Sequence, residues 1–150
     1  MDSSSVERHG FKILQFESLD KNIQKILSVA VETRNNAYCP YSKFQVGAAV
    51  LCKDGSIYSG CNVENISFTV GTCAERVAYG KAISEGKREF IAVAVIGNYE
   101  FTTPCGACRQ YITEFGKVDI YIGNPHLDKI MVTHIDDLLP VAFGASNKPF

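Results

Sequence analysis

The sequence predicts an α/β protein, a three-layer α/β/α sandwich around a mixed five-stranded sheet. Two observations support this prediction. Helix-like apolar stripes alternate along the chain with segments that have the two-residue period of strands. The segment FIAVAVIG, residues 90–97, is apolar on both faces, and a strand buried from both sides needs helices on both faces of its sheet. The length of 150 residues suits one domain.

The first helix is predicted over residues 17–37, with two strands after it. Leu19, Ile23, Ile26, Leu27, Ala30 and Arg34 share one stripe that is apolar until its end. Pro40 disfavours helix in the residue before it, so the segment YCPYS ends this helix. Alternation from Phe44 to Val50 predicts a strand, and Asp54–Gly55 predicts a tight turn into the next strand. These two strands are therefore expected to be antiparallel.

The second half of the sequence predicts more helices and a second hairpin. The loop 61–71 leads into a helix over residues 73–85, and Gly86 ends it. The stripe from Cys108 to Phe115 predicts another helix, and a short one is expected near residues 135–139. Little more than NPHLD separates the strands VDIYIG and KIMVT. Because this is too short for a helical crossover, the two strands should form an antiparallel hairpin.

The chain is expected to have a flexible N-terminal arm over residues 1–15 and a single domain over residues 16–150. The start, MDSSSVERHG, is polar and lacks the apolar core of a signal peptide. No apolar run is long enough to span a membrane. We therefore expect a cytoplasmic protein whose six cysteines stay reduced and serve a metal or catalysis rather than disulfides.

Three cysteines are predicted to converge at one edge of the sheet. Cys105 and Cys108 form a C-x-x-C pair at one predicted helix start, and Cys73 stands at another. The partial positive charge of a helix N-terminus favours the thiolate, which is the metal-binding form of cysteine. Three thiolates with a fourth position open are the donor set of a catalytic zinc. A closed structural zinc site with a borrowed fourth ligand is the alternative.

Two interpretations of Glu75, two residues after Cys73, compete. In the first, Thr72 and Glu75 form a capping box at the helix start. In the second, the carboxylate reaches a metal-bound water without binding the metal. Zinc deaminases combine ligand-x-Glu with a later Pro-Cys-x-x-Cys, and their glutamate is the general acid and base. Here the segments are CAE and PCGAC, and together they favour the catalytic interpretation.

Over roughly residues 17–145, the chain resembles the small, three-cysteine, homotetrameric cytidine deaminases. The matching segments are AYCPYSKFQVGAAV, GCNVEN, TCAER, TPCGACRQ and LLPVAFG, in this order. The resemblance implies hydrolytic deamination of cytidine and deoxycytidine to uridine and deoxyuridine in pyrimidine salvage. It also implies one zinc ion per subunit, and a homotetramer whose active sites are shared between subunits.

The resemblance also implies roles for individual residues. Cys73, Cys105 and Cys108 would hold zinc, and Glu75 would carry the proton. The substrate-binding positions would be Phe44, Asn62, Val63, Glu64, Asn65, Ala74 and Phe143. Arg76 would donate to the ligand sulfurs, and Arg109 is the alternative for that role.

For some of these residues, physical chemistry supports a role in substrate binding independently of the family resemblance. The side chains of Asn62 and Glu64, two residues apart on a loop, can present a donor and an acceptor to one ribose hydroxyl. Their alternative is ordinary turn formation. Phe44 would line the base pocket or be a core residue of its strand. Phe143 would reach into a neighbouring subunit's site or pack within its own subunit.

Three other functions fit parts of the sequence. A deaminase of an aminonucleoside antibiotic such as blasticidin S resembles this chain in fold and zinc motifs, but the CNVEN and AFG segments favour an ordinary nucleoside. A polynucleotide deaminase would need a basic groove with aromatic side chains that stack on the bases. The net charge of −1 and the absence of tryptophan disfavour this function. A non-catalytic zinc module would also use the cysteines. We expect a small nucleoside substrate, with neither nucleic acid nor membrane as partner.

Overall fold

A computed structural model of the chain describes residues 10–144, which form a six-stranded mixed sheet with helices on both faces. The strands are β1 (Lys12–Gln15), β2 (Gly47–Cys52), β3 (Ile57–Cys61), β4 (Phe90–Ile96), β5 (Asp119–Gly123) and β6 (Lys129–His134). The helices are α1 (Lys21–Arg34), α2 (Ala74–Ser84), α3 (Gly106–Glu114) and α4 (Ile135–Leu138), with short 3-10 turns at Phe16–Ser18 and Phe68–Val70. The strand order is β1-β6-β5-β4-β2-β3, with β4 and β5 parallel and the other neighbours antiparallel.

The two faces of the sheet carry different helices. On one face, Leu27 of α1 packs in a cluster with Ala94 of β4. On the other face, Ala78 of α2 and Ile112 of α3 pack in a cluster with Val93. Because the adjacent residues Val93 and Ala94 are both fully buried, β4 is covered from both sides, which confirms the α/β/α prediction.

Both predicted hairpins are present. β2 and β3 pair in antiparallel register, as do β5 and β6. Gly55 in the first turn has a φ of 88°, a conformation that favours glycine. The first helix is shorter than predicted: it begins at Lys21, because the side chain of Asp20 caps it by accepting from the amide of Asn22 at 2.8 Å.

The strand count and part of the N-terminal prediction were wrong. The sheet has six strands, not five, because Lys12–Gln15 pairs with β6 and extends the sheet at its edge. These four residues belong to the arm predicted over residues 1–15. All four are exposed, so the sequence pattern contains no burial signal for this strand. Residues 1–9 lie outside the described residues, and the single domain over 16–150 stays a prediction.

The topology brings the starts of α2 and α3 to the same edge of the sheet. β3 and β4 run in the same direction, because each pairs in antiparallel fashion with β2. α2 follows β3 along the chain, and α3 follows β4. Both helices therefore start beyond the carboxyl ends of their strands. Within residues 10–144, no helix has the length and apolar character needed to cross a membrane.

A glycine in β3 sets how closely α2 approaches the sheet. A Cβ atom added to Gly60 would lie 2.6 Å from the carbonyl oxygen of Ala74 and 2.6 Å from the amide nitrogen of Ala78. Both of these atoms belong to the backbone of α2. Only a residue without a side chain allows the first turn of α2 to rest directly on β3.

Candidate active site

The three predicted cysteine ligands come together at the starts of α2 and α3. Cys73 and Cys105 immediately precede α2 and α3, and Cys108 lies in the first turn of α3. Their three sulfurs lie within 4.8 Å of one another, and the Sγ atoms of Cys73 and Cys105 are 3.8 Å apart. Two thiolates on a tetrahedral zinc, each at about 2.3 Å, would be about 3.8 Å apart. The donor type and the spacing therefore fit zinc.

Hydrogen bonding within the cluster favours a thiolate at Cys73. Hydrogen bonds from the Cys108 thiol and from the Arg76 guanidinium lower the pKa of Cys73 to about 5, although burial acts in the opposite direction. The pKa of Cys108 is raised, because its thiol is the donor to Cys73 and because it is buried near Glu75. Metal binding releases the remaining thiol protons, since the thiolate is the ligand.

Glu75 lies beside the cysteines and is only 4% exposed. Its Oε2 atom lies 3.7 Å from Sγ of Cys108. Burial raises the pKa of Glu75 to about 7, and the negative charge of Cys73 acts in the same direction. A carboxyl group with a pKa near neutrality can both accept and donate a proton.

The capping interpretation of Glu75 does not match the structure. The residue that precedes α2 is Cys73 rather than Thr72, and no side chain in the described residues accepts a capping hydrogen bond there. The Glu75 side chain is turned towards Cys108 instead. Among the described residues no side chain caps the start of α2, so the partial positive charge of its free N–H groups remains next to Cys73.

Arg76, rather than Arg109, contacts the sulfurs. Nη2 of Arg76 donates to Sγ of Cys73 at 3.7 Å. Nε of Arg76 is buried and has no hydrogen-bond partner among residues 10–144. Arg109 points away from the cluster and donates to the carbonyl oxygens of Pro104 and Leu138. A guanidinium at Cys73 offsets part of the negative charge that three thiolates bring together.

A cavity of about 330 Å³ opens next to Cys73. Its wall is formed by Tyr41, Asn62, Val63, Glu64, Asn65, Phe68, Gly71, Thr72, Cys73 and Arg76. Four of the predicted substrate-binding residues, 62–65, are in this wall. The volume is at the lower end of the range for small-molecule sites, about 300–1,000 Å³.

Main-chain hydrogen bonds hold the loop of residues 62–65 next to the sulfur cluster. Val63 exchanges two hydrogen bonds of 2.9 Å with Thr72, the residue before Cys73. On the other side, the amide of Glu64 donates to the carbonyl oxygen of Tyr38 at 2.8 Å. The position of the loop relative to Cys73 is therefore set by the backbone and does not depend on a ligand.

The side chain of Asn62 joins its loop to the segment before β2. Its Nδ2 donates to the carbonyl oxygen of Phe44 at 2.7 Å, and its Oδ1 accepts from the amide of Val46 at 2.8 Å. An amide nitrogen has two hydrogens, so one remains for a ligand in the cavity. Asn62 thus combines a structural role with a free donor.

Glu64 and Asn65 also have partners within the protein. Oε1 of Glu64 accepts from the amides of Tyr41 and Ser42 at 3.0 and 3.1 Å. Hydrogen bonds from Ser42, together with the amide of Tyr41, hold the pKa of Glu64 below its ordinary value, so this side chain is a carboxylate at neutral pH. The Oδ1 atom of Asn65 accepts from the amide of Ser67 at 2.8 Å and closes a turn.

Comparison with known proteins decides the family. The family described as "Cytidine and deoxycytidylate deaminase zinc-binding region" matches residues 20–124. The chain belongs to this deaminase family. A cytidine deaminase from Sporosarcina psychrophila is 47% identical over 126 residues, which cover 82% of this chain and 92% of the relative. The resemblance inferred from the sequence and the predicted zinc cofactor are thereby confirmed.

Solved structures agree with this assignment. The crystal structure of cytidine deaminase from Burkholderia pseudomallei matches with a TM-score of 0.76 and 44% identity, covering 79% of this chain and 97% of that one. The cytidine deaminase from Mycobacterium tuberculosis matches with a TM-score of 0.72 and 36% identity, covering 83% and 99% of the two chains. The α/β fold of this family is therefore also the fold of this deaminase.

Three predicted substrate-binding residues of the deaminase are not in the cavity wall. Ala74 is fully buried at the first position of α2. Phe44 makes an edge contact with Tyr99, with ring centroids 5.0 Å apart. Phe143 is 87% exposed, and its carbonyl oxygen accepts from Nε2 of Gln110 at 3.1 Å. The roles of these residues in substrate binding stay predictions.

The sequence analysis missed several residues that shape the site of this deaminase. Tyr41, Gly71 and Thr72 line the cavity, and Gly60 supports the start of α2. A glycine inside a predicted strand indicates close approach of another backbone, and this signal could have identified Gly60. Tyr41 has no comparable signal in the sequence, because its place in the cavity wall and the hydrogen bond from its amide to Glu64 depend on two segments that are distant in the chain.

Proposed function

We propose that this deaminase hydrolyses the C4 amino group of cytidine and deoxycytidine, and that it serves pyrimidine salvage. The products are uridine or deoxyuridine and ammonia. The main supporting observation is a buried carboxylate, Glu75, beside three converging cysteine sulfurs. The nucleoside substrate is supported by relatives named cytidine deaminase that match over most of both chains.

In the proposed mechanism, Glu75 moves the protons. Zinc, when held by Cys73, Cys105 and Cys108, supplies a Lewis acid that activates water for attack at C4. Glu75 accepts a proton, passes it to N3 of the cytosine ring, and then helps to protonate the departing amino group. Burial supports this role, because it raises the pKa of Glu75 to about 7, and a carboxyl group with such a pKa can both accept and donate a proton.

The loop of residues 62–65 is proposed to bind the sugar. Asn62 donates its remaining amide hydrogen to a ribose hydroxyl, and the Glu64 carboxylate accepts from that hydroxyl. Val63 and Asn65 shape the wall between them. The backbone of Ala74 and the ring of Phe44 contact the pyrimidine on its other sides. Because the main chain already holds the loop of residues 62–65 in place, binding the sugar requires little ordering of this loop.

We also propose a homotetramer in which Phe143 of each subunit reaches the site of a neighbour. Ile66 is 82% exposed, and Phe68, in the cavity wall, is 87% exposed. Large exposed apolar side chains next to a cavity are typical of a surface that another protein covers. A cytoplasmic location is proposed as well, because the site needs reduced thiols and all six cysteines are free.

The test of this function is the ultraviolet absorbance of cytidine during incubation with the purified protein. We expect the absorbance to fall with the zinc-loaded protein and to stay constant after zinc is stripped. Glu75→Gln should keep its zinc and lose activity by about 10²- to 10⁴-fold, the usual contribution of general acid–base catalysis. Glu89→Gln is the matched control, because the Glu89 side chain is 71% exposed and pairs only with Lys53 among the described residues.

Two outcomes would contradict the proposal. Wild-type turnover by Glu75→Gln would remove Glu75 from the mechanism. A zinc-loaded, folded protein that leaves cytidine unchanged would rule out this substrate, and an aminonucleoside antibiotic such as blasticidin S would be tested next.

A further inference from the structure

We propose that Arg109 is a positioning residue that joins the loop before Cys105 to the C-terminal segment of residues 138–143. Arg109 lies in α3, one residue after Cys108. All three nitrogens of its guanidinium donate hydrogen bonds. The acceptors are the carbonyl oxygen of Pro104 at 2.8 Å, the carbonyl oxygen of Leu138 at 2.8 Å and Oγ1 of Thr103 at 3.4 Å.

The acceptors of Arg109 belong to two segments that are distant in sequence. Thr103 and Pro104 form the approach to Cys105, so their position determines where that sulfur lies. Leu138 ends α4 and begins the segment that leads to Phe143. The guanidinium is planar and holds its donors in a rigid fork, so the two segments are fixed relative to each other. Charge-assisted hydrogen bonds of this kind are stronger than neutral ones.

A second contact from α3 fixes the far end of the same segment. Nε2 of Gln110, next to Arg109, donates to the carbonyl oxygen of Phe143 at 3.1 Å. Between the two contacts, Val141 has a φ of 51°, which is unfavourable for a β-branched residue. A strained backbone persists only where its surroundings hold it. The contacts from Arg109 and Gln110 supply that support and leave Phe143 87% exposed.

The position of Arg109 predicts two consequences. Losing its side chain should free the approach to Cys105 and weaken the hold of the cysteines on zinc. It should also release the segment that presents Phe143, and this second consequence rests on the role of Phe143 proposed above. Arg109 itself does not touch the sulfurs, so it acts through the position of other residues.

The first experiment measures zinc release. The zinc-loaded proteins are mixed with excess chromophoric chelator, and the rate of metal transfer is recorded. We expect Arg109→Ala to release zinc about tenfold faster than the wild type, as for other groups that support metal ligands. Arg109→Lys, which keeps the charge but replaces the rigid three-nitrogen fork with a single nitrogen, should be intermediate. Arg88→Ala is the matched control, because Arg88 is exposed and donates only to nearby carbonyl oxygens among the described residues.

The second experiment measures the link to the C-terminal segment by hydrogen exchange. The backbone amide of Leu139, which donates to the carbonyl oxygen of Ile135 at 2.9 Å, should exchange faster in Arg109→Ala than in the wild type and in Arg88→Ala. Circular dichroism establishes that each variant is folded, and Arg109→Lys takes the place of Arg109→Ala if the latter does not fold. Wild-type rates of both zinc release and exchange in the folded variant would overturn the proposal.

The third experiment is a double-mutant cycle on kcat/KM for cytidine. Phe143→Ala should lower kcat/KM in the wild-type background. In the Arg109→Ala background it should add less than about a twofold loss, because the segment is already released. Fully additive losses would overturn the link between Arg109 and Phe143. If the wild type does not deaminate cytidine, the proposed substrate fails, whereas zinc release and hydrogen exchange still test Arg109.

Discussion

Replacing Gly60 with alanine tests how closely α2 must approach β3 for the site to work. Gly60 is a buried residue of β3 that faces the first turn of α2. That turn carries Glu75 and is preceded by Cys73. The added methyl group would meet the backbone of α2, and no change of side-chain rotamer can relieve such a contact.

The expected losses of stability and of kcat/KM follow from the distance between the added Cβ and the backbone of α2. The new Cβ would lie 2.6 Å from backbone atoms of Ala74 and Ala78, whereas ordinary contacts begin at 3.4 Å, so α2 and β3 must separate by about 0.8 Å. Overpacking of this kind costs about 1–3 kcal/mol of stability. A displacement of about 1 Å in catalytic groups can lower the rate about 100-fold. We therefore expect kcat/KM for cytidine to fall about 10- to 100-fold.

The assay combines urea unfolding, zinc content per chain and initial rates of cytidine deamination. Gly80→Ala is the matched control on the same helix. A Cβ at Gly80 has no atom within 4 Å, and alanine is favoured over glycine inside a helix. Gly80→Ala should raise the free energy of unfolding by about 0.5–1 kcal/mol and leave kcat/KM unchanged.

One outcome would contradict the prediction for Gly60→Ala. If Gly60→Ala had wild-type stability and wild-type kcat/KM while Gly80→Ala behaved as expected, α2 could shift without cost. The spacing between α2 and β3 would then not determine the geometry of Cys73 and Glu75.

Three further predictions concern the core, the sulfur cluster and the surface. The hydroxyl of Tyr79 is buried without a hydrogen-bond partner in the described part of the chain. Because Tyr79→Phe removes this unsatisfied group, it should raise the free energy of unfolding, measured by urea titration, by about 1–3 kcal/mol. A lower free energy of unfolding would contradict this prediction. Arg76→Gln removes the charge beside Cys73 and should weaken zinc binding about 10- to 100-fold in chelator competition, and unchanged affinity would count against that role. A hydrogen bond from Lys87 holds the pKa of Asp54 well below its ordinary value of 3.8. At pH values above 3.8 the Asp54 carboxylate therefore stabilises the folded protein, and this stabilisation is lost as the pH falls through the lowered pKa. Asp54→Asn should therefore unfold at a lower temperature than the wild type at about pH 7, with the difference shrinking towards about pH 2; an equal difference at both pH values would be inconsistent with this linkage.

Local patterns in the sequence were sufficient for much of the fold. The period of apolar residues identified α1, β2 and β4, and the turn at Asp54–Gly55 identified the first hairpin. The strand β1 could not be found in this way. All its residues are exposed, and its only partner among the described strands, β6, lies at the other end of the chain. Its formation depends on backbone hydrogen bonds that leave no pattern in the side chains.

The cysteine cluster was predictable because its chemistry is local. The C-x-x-C spacing places Cys105 and Cys108 within one turn of a helix start, and the order of strands and helices brings Cys73 to the same edge. The surroundings of the cluster were less predictable. Arg76 and Arg109 each follow closely after a cysteine ligand, and only the structure separates the donor to sulfur from the residue that holds Pro104 and Leu138.

The family, the zinc donor set and the placement of Glu75 next to a ligand follow from the amino-acid sequence alone, because they depend on residue types at short spacings. Three features follow only from the folded chain: how Asn62 and Glu64 are held, how closely Gly60 lets α2 approach, and which segments Arg109 joins. These features depend on distances between segments that are far apart in the chain. Such distances are set by the packing of the whole domain, and no local pattern of residues encodes them.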